Sequence, residues 1–294
     1  MQILQAIING LFMGSLYGLI ALGLSLLFGL MKIINFAHGS YLMISMFITY
    51  GFSRLTGFNP YLSALVVCPV LFGLGYATQR YLIKSVLVAE HEVREPISVL
   101  LLTAGLWIFL DNLFLLAFGP DYRAIRSPMG RLNWIFFNEL VVNVPRFVAF
   151  LTSSISAIVV HLFFKYHELG RLMRATGQDR KMAALLGIDI YNMYNIAFGI
   201  SCALVGLCGT LLSVFYYINP SVGSIFDIRA FIIVVLGGLG SIPGAMLGGI
   251  IIGLIESVGA QFISATLTEG MIYLLFLLIL FYKPAGLFGL KGEW

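Results

Sequence analysis

The chain has 294 residues, of which 60% are apolar and only 10% are charged, and its formal net charge is +4. A soluble domain carries about 25% charged residues, because its surface must face water. The composition therefore excludes an ordinary soluble domain. It predicts an all-α integral membrane protein with a single transmembrane domain over residues 1–294.

Eight apolar segments are long enough to be candidate spans, because a membrane-spanning helix needs about 20 mostly apolar residues. They are residues 3–29, 36–53, 60–83, 97–118, 145–165, 194–218, 228–260 and 268–283. The first segment has no basic residue before it, unlike a signal peptide, and we predict that it is retained. The cysteines fall inside apolar runs, which indicates buried thiols rather than disulfides or metal ligands.

The hydrophilic joints between the spans are short, and none of them is large enough for a soluble domain. They lie at 84–96, 119–144 and 166–192. Residues 165–192 hold five basic side chains, and positive charge favours the cytoplasmic side. With this joint inside, residues 80–96 and the C-terminal tail are also inside, giving ten basic residues inside against six outside. We therefore predict that 166–192 is cytoplasmic.

Two stretches interrupt apolar runs in the two halves of the chain, KIINFAHGSY at 32–41 and LGGLGSIPGAMLGG at 236–249. Irregular backbone at membrane depth is tolerated only inside protein or along a cavity, since lipid cannot satisfy its polar groups. Paired interruptions of this kind are typical of transport sites. The alternative for 32–41 is a loop at the membrane surface, with Lys32 among headgroups and His38 capping a helix. Both interpretations stay open at this point.

The residues within these interruptions suit a binding site at a helix end. A helix that begins near Gly39 or Gly244 would direct its free N–H groups and positive dipole end into the break. Such an end can bind a carboxylate without a basic side chain, and Pro243 suits a first helical turn. The alternative for the glycines is close helix packing through small-xxx-small steps, such as Gly10–Gly14 and Gly249–Gly253.

Few ionisable residues fall within the predicted spans. Asp111 lies in the fourth span and Glu256 near the end of the seventh. Intramembrane charge indicates function by default, but either side chain can reach an interface or pair with a backbone donor, which favours a structural use. No pair of intramembrane carboxylates is evident in the sequence. This argues against a proton- or sodium-coupled pump.

The joint at 166–192 contains a basic, helix-forming segment, GRLMRATGQDRKMAALLGIDI at 170–190. Met182, Leu185 and Leu186 give it an apolar side, and Gly187 is a suitable helix cap. One interpretation is a helix that lies on lipid headgroups. The other is a short helix that docks into the groove of a partner protein.

Four motifs together resemble the branched-chain amino acid ABC transporter permeases. They are INFAHGSYLM at 34–43, RATGQDRKMAALLGID at 174–189, YYINPSVG at 216–223 and VVLGGLGSIPGAMLGG at 234–249. The resemblance covers almost the whole chain in the same order. It implies a multi-pass subunit of the bacterial inner membrane with about eight spans, two of them interrupted. Relatives in this family transport urea, short amides or other amino acids, so the motifs identify the type of transporter better than its substrate.

The resemblance also implies partners and roles. The chain would form half of a permease pair, with a second copy or a homologous chain. Two ATP-binding subunits would sit on the cytoplasmic side, and a periplasmic or lipid-anchored binding protein would deliver the substrate. Alternating access would move branched-chain or related amino acids, driven by closure of the ATPases.

Two sets of residues are predicted to carry this function. The substrate path is assigned to Asn35, His38, Gly39, Ser40, Gly238, Gly240, Ser241 and Pro243. Coupling to the ATPases is assigned to Arg174, Asp179, Arg180, Ala183, Ala184 and Gly187.

The chain itself lacks the motifs of an enzyme. It contains no G-x-x-x-x-G-K-[ST] loop and no G-x-S-x-G, and His38, His91, His161 and His167 show no metal-ligand spacing. We therefore predict no metal and no cofactor, with ATP bound by the partner subunits. The alternative function is a self-sufficient channel or facilitator for a small neutral solute such as urea. A secondary transporter is a third possibility, and the lack of buried carboxylates argues against it.

Overall fold

A computed structural model of the chain describes residues 2–89, 97–125, 132–136, 140–283 and 286–288. Within these ranges the protein is helical, as the composition predicts, apart from one short hairpin of β1 (Asn133–Phe136) and β2 (Leu140–Asn143). The helices are α1 (Gln2–Met31), α2 (His38–Thr56), α3 (Ala64–Ala77), α4 (Lys84–Ala89), α5 (Ile97–Phe118), α6 (Val144–Tyr166), α7 (Glu168–Gln178), α8 (Arg180–Leu185), α9 (Ile190–Leu212), α10 (Val222–Gly237), α11 (Ile242–Phe262) and α12 (Ala265–Tyr282). A 3₁₀ turn (Pro60–Ser63) precedes α3, and a π-helical turn (Thr78–Ile83) joins α3 to α4.

Seven of the described helical segments are long and apolar enough to cross a bilayer. They are α1, the continuous run Pro60–Ala89, α5, α6, α9, α11 and α12. The multi-pass membrane protein is thereby confirmed, and the number of eight spans stays a prediction. Apart from the short helices α7 and α8, the described helices outside this set are α2, with 19 residues, and α10, with 16. They are the helices that flank the two interruptions.

Two predicted span boundaries differ from the structure. The span predicted at 194–218 ends early, because α9 stops at Leu212 and residues 213–221 form an irregular connection. The segment predicted at 228–260 begins earlier, at Val222 of α10, and residues 238–241, which lie within the predicted interruption 236–249, separate α10 from α11. Gly238 and Gly240 there adopt φ values of +101° and +84°, which side chains other than glycine rarely tolerate.

Parts of two predicted joints lie outside the described residues, namely 90–96 and most of 126–139. His91 also lies outside them, as do four of the basic residues counted for orientation: Arg94, Arg126, Arg131 and Lys291.

The centre of the bundle is α1, which is buried along most of its length and packs antiparallel against α11. A Cβ atom added at Gly10 would lie 2.8 Å from the carbonyl oxygen of Gly253, and one at Gly14 would lie 2.8 Å from that of Gly249. The packing interpretation of these glycines is therefore confirmed. The helices α5 and α12 are mostly exposed, as expected for helices that face lipid or another subunit.

The C-terminal end of α1 lies beside the joint that contains α7 and α8. A Cβ atom on Gly177 of α7 would lie 2.8 Å from the carbonyl oxygen of Gly29, and one on Gly29 would lie 2.8 Å from Cα of Gly240. One end of the bundle therefore contains α7, the end of α1 and the break at 238–241. We call it the coupling end.

Candidate functional site

The helix α2 begins inside the bundle rather than at its edge. The chain leaves α1 at Met31, and by His38 it has returned to the level of Ile20, whose carbonyl oxygen lies 3.0 Å from Nε2 of His38. Eleven helical residues separate Ile20 from Met31, so this level lies about 16 Å from the coupling end of α1. The hydrocarbon core of a bilayer is about 30 Å thick, which supports the prediction that the first break opens at membrane depth.

The first turns of α2 and α10 meet backbone to backbone. Gly39 is the second residue of α2 and Gly223 is the second residue of α10. A Cβ atom on either glycine would overlap the carbonyl oxygen of the other. Two helix N-termini therefore share one place in the bundle.

These two helix starts are built from the same short pattern. Asn35-Phe-Ala-His-Gly-Ser40 begins α2, and Asn219-Pro-Ser-Val-Gly-Ser224 begins α10. In both, the main-chain carbonyl oxygen of the asparagine accepts a hydrogen bond from the N–H three residues later, at 3.3 Å for His38 and 3.2 Å for Val222. The sequence analysis did not find this N-x-x-x-G-S repeat. It paired 32–41 with 236–249 instead.

The side chains at these helix starts are buried and only partly satisfied. Oδ1 of Asn35 accepts from the Ala37 N–H at 3.0 Å, which holds the amide over the first turn of α2 and leaves its Nδ2 unpaired. Since a carbonyl can only accept, Nε2 of His38 carries the proton given to Ile20, and Nδ1 has no partner in the described part of the chain. Oδ1 of Asn219 is also unpaired. Buried polar groups of this kind are rare and expensive, which indicates a site.

A polar stripe on α5 contacts the first break. Thr103, Trp107 and Asp111 are four residues apart and lie on one face of the helix. Thr103 Oγ1 lies 3.4 Å from both the Phe36 nitrogen and the Ile34 oxygen. Asp111 accepts from Ser40 Oγ at 2.7 Å and from Trp107 Nε1 at 2.8 Å.

A second carboxylate reaches the same helix end. Asp227, one turn into α10, lies beside the same helix start, since a Cβ atom added at Gly39 would lie 3.1 Å from the Cβ of Asp227. The start of α2, which the sequence predicts as a free N–H end, thus has Asp227 next to Gly39 and Asp111 bound to Ser40. The sequence analysis missed the pair because Asp227 lies one residue before the predicted span 228–260. In addition, Asp111 and Asp227 are more than 100 residues apart, and the sequence does not show that α5 and α10 both reach the start of α2.

The second break lies at the coupling end. Ser241 caps α11 by accepting from the Gly244 N–H at 3.1 Å, and Pro243 lies in the first turn, as the sequence predicts. Ser25 Oγ of α1 lies 3.4 Å from the Ser241 carbonyl oxygen. The structure thus joins Gly240 and Ser241 to the end of α1, and Gly39 and Ser40 to α5 and α10. The two groups of predicted path residues are at different depths along α1.

The predicted coupling segment consists of two helices rather than one. The helix α7 ends at Gln178, and Asp179 caps α8 by accepting from the N–H groups of Lys181 and Met182 at 2.9 and 3.1 Å. The chain leaves α8 through Gly187, at φ +81°.

The apolar side of α8 is turned outward. Met182, Leu185 and Leu186 are 60%, 82% and 78% exposed. Of the predicted coupling residues, Arg174, Asp179, Ala184 and Gly187 are exposed, Arg180 is partly exposed, and Ala183 is buried against the bundle.

The other ionisable residue of the predicted spans, Glu256, has a structural partner. It forms an ion pair with Arg229 at 3.0 Å, and Arg229 also contacts Glu269 at 2.9 Å and Tyr17 Oη at 2.6 Å. This network joins α1, α10, α11 and α12. It matches the structural use favoured for Glu256.

The chain matches a known family over nearly its whole length. The family described as branched-chain amino acid transport system / permease component matches residues 6–280. The chain belongs to this permease family. The matched region contains both breaks, the paired helix starts and the segment α7–α8.

Three curated relatives agree with this assignment. The high-affinity branched-chain amino acid transport system permease protein BraD of Pseudomonas aeruginosa is 33% identical over 301 residues, covering 97% of this permease and 95% of BraD. The corresponding LivH proteins of Salmonella typhimurium and Escherichia coli K12 are 32% and 31% identical, with the same coverage. These relatives support the permease interpretation over the facilitator. No solved structure matches this permease.

Proposed function

We propose that this permease is the membrane-spanning subunit of an ATP-driven importer for branched-chain amino acids in a bacterial inner membrane. Its relatives carry that substrate in their names and match the chain from end to end. The proposed partners are a second permease subunit, two ATP-binding subunits on the cytoplasmic side and an external substrate-binding protein. Hydrolysis belongs to the ATP-binding subunits, and this chain supplies the path.

The observation that carries the coupling proposal is the outward apolar face of α8. Two large exposed apolar side chains on this six-residue helix, Met182 and Leu185, with Leu186 directly after it, fit the groove of a partner protein. The helix continues from α7, whose Gly177 contacts Gly29, which in turn contacts Gly240. A displacement of α8 would therefore be transmitted to the end of α1 and to the second break through direct backbone contacts.

The proposed substrate path runs between the two breaks along α1. Asn35, His38, Gly39 and Ser40 shape its deeper part, and Gly238, Gly240, Ser241 and Pro243 shape its part at the coupling end. Movement of α1 relative to α11 and α2 would open one part while it closes the other. This is alternating access, with the ATPases supplying the free energy.

The first experiment separates a subunit from a self-sufficient pore. We expect the purified chain alone to give no leucine uptake in vesicles, and the assembled complex with ATP and binding protein to accumulate leucine. Uptake of leucine or urea by the chain alone would contradict the proposal.

The second experiment tests α8. Ala184→Arg places a long cation on the exposed docking side, and we expect at least a tenfold loss of ATP-driven uptake, because a buried unpaired charge costs several kcal/mol at an interface. Gln178→Arg is the matched control, since it adds the same charge at a nearby exposed position on α7. Equal uptake by both variants would show that α8 does not dock.

A further inference from the structure

We propose that Asp111 and Asp227 form the subsite that binds the ammonium group of the transported amino acid at the shared start of α2 and α10. This inference rests on the proposed function, because it assigns part of the substrate to a place along the same path. It adds two residues that the sequence motifs do not point to. It also explains how a permease without a basic residue at this place recognises a zwitterion.

The first argument is uncompensated charge. Ser40 and Trp107 donate hydrogen bonds to Asp111, and both donors are neutral. Neither carboxylate forms an ion pair with a basic side chain of the described residues. Arg229, on α10, is engaged with Tyr17, Glu256 and Glu269. Two repelling carboxylates inside a bundle are stabilised by a cation, and an intramembrane charge without a partner marks a ligand site.

The second argument is the unpaired polar groups at the same two helix starts. Asn35 is 1% exposed, and its Nδ2 donor has no partner in the part of the chain that the structure describes, although its Oδ1 is fixed on the first turn of α2. Asn219 is 9% exposed and leaves an unpaired Oδ1 acceptor at the start of α10. A buried donor and a buried acceptor, each lacking a partner, are what a zwitterion satisfies.

The groups divide according to the charges of an amino acid. Asp111, Asp227 and the Asn219 oxygen are acceptors, and they suit the three N–H donors of an ammonium group. The Asn35 amide is a donor and suits the carboxylate. The aliphatic side chain needs no polar partner, so one site accepts leucine, isoleucine and valine alike. Urea, which carries no charge, gains nothing from the carboxylate pair.

The paired glycines give this site its shape. Gly39 and Gly223 bring the two helix starts into direct contact, and so bring Asp227 of α10 to the N–H end of α2. Asp111 lies on α5 and accepts a hydrogen bond from Ser40, at the start of α2. Three helices thus converge on one place, and a movement of any of them changes the spacing of the carboxylates. Closure and opening of the permease would then raise and lower the affinity for the ammonium group.

The test uses the assembled importer, with Asp111→Asn and Asp227→Asn, which keep the shape and hydrogen-bond acceptor of each side chain but remove its charge. Asp121→Asn is the matched control, since Asp121 is an exposed carboxylate outside the site. Binding to the complex without its binding protein is measured with leucine, isoamylamine, which lacks the carboxylate, and isocaproate, which lacks the ammonium group. Thermal stability and basal ATPase activity are recorded for each variant.

We expect each site variant to weaken leucine and isoamylamine binding by about tenfold or more, because a hydrogen bond to a charged group is lost. Isocaproate should bind weakly to all four proteins, and Asp121→Asn should match the wild type in leucine binding, thermal stability and basal ATPase activity. Leucine affinity that is unchanged in both variants, or leucine binding that requires sodium, would overturn the inference. Leucine import by the wild-type complex is the separate measurement. Its absence would refute the proposed function, whereas import that both variants match would refute only the ammonium subsite.

Discussion

At the residue scale, the contact between Gly39 and Gly223 determines how the candidate site is built. Neither position has room for a Cβ atom, because the carbonyl oxygen of the other glycine occupies that space. A side chain at either position would push α2 and α10 apart, because its Cβ atom would overlap that oxygen. The spacing between Asp227 of α10 and the start of α2 would then change.

The residue-scale prediction is that Gly39→Ala lowers stability and uptake together. Overpacking of this kind costs about 1–3 kcal/mol, and the shifted helix start also disturbs the site. Thermal unfolding of the detergent-purified complex and leucine uptake measure the two effects. Gly51→Ala is the control on the same helix, since a Cβ atom there meets nothing within 4 Å. Equal behaviour of the two variants would contradict the close approach.

At the element scale, the antiparallel pair α1–α11 is the framework against which the two breaks are placed. The glycines of α1 and α11 let the two backbones approach closely over several turns. Lipid gives no hydrophobic driving force for helix association, so this pairing depends on van der Waals contact and on hydrogen bonds. Ser257 Oγ, which donates to the Ala6 carbonyl oxygen at 2.7 Å, adds one such bond.

The element-scale prediction compares a leucine substitution at a buried glycine of α1 with one at an unobstructed glycine of α3. Gly14→Leu forces a side chain into the backbone of α11, and we expect loss of the folded protein in size-exclusion chromatography. Gly73→Leu lies on α3 where nothing is within 4 Å, and we expect wild-type yield and stability. A folded Gly14→Leu protein that still transports would show that the α1–α11 contact is not required.

At the scale of the whole molecule, the fold separates a coupling end from an opposite end. The coupling end holds α7 and the second break, with α8 next along the chain, and the positive charge of the joint 166–192 predicts that this end faces the cytoplasm. The helix α2 starts inside the bundle and runs away from the coupling end, since Thr49 contacts Thr210 near the far end of α9. Leu55, at the end of α2, is therefore expected on the external side.

The whole-molecule prediction is a labelling pattern. In a Cys68→Ser background, where the remaining Cys202 and Cys208 are fully buried, Leu186→Cys and Leu55→Cys present exposed thiols. We expect an impermeant maleimide to label Leu55→Cys in intact cells and Leu186→Cys only in inverted vesicles. The reverse pattern would overturn the orientation.

Much of the fold follows from local properties of the sequence. Apolar runs of sufficient length predicted most helices within a few residues, and α5 was predicted at 97–118, as the structure has it. Polar residues within an apolar run indicated the first interruption, and the Gly- and Pro-containing stretch 236–249 indicated the second. The boundary at 218 was wrong because the irregular connection after Leu212 is itself largely apolar. The boundary at 228 was wrong because the first turns of α10, from Val222, contain polar residues that hydropathy excludes.

The candidate site was only half predictable. Asn35, His38, Gly39 and Ser40 stand out because they are polar within an apolar run. Asp227, Trp107 and Asn219 lie far away along the chain, and their roles arise from contact between α2, α5 and α10. The repeated N-x-x-x-G-S pattern and the i, i+4, i+8 spacing on α5 were visible signals, but only a shared location makes them informative.

The sequence by itself determined that this is a helical membrane protein with two interruptions, and its motifs indicated the permease family. These properties depend on composition and on local backbone preference, which each segment carries alone. The tertiary structure alone decided that α2 meets α10 and that two carboxylates lie at their shared start. It also decided that Gly177, Gly29 and Gly240 join the coupling segment to the second break. Contacts between distant segments depend on the mutual fit of whole helices, and no single segment encodes that fit.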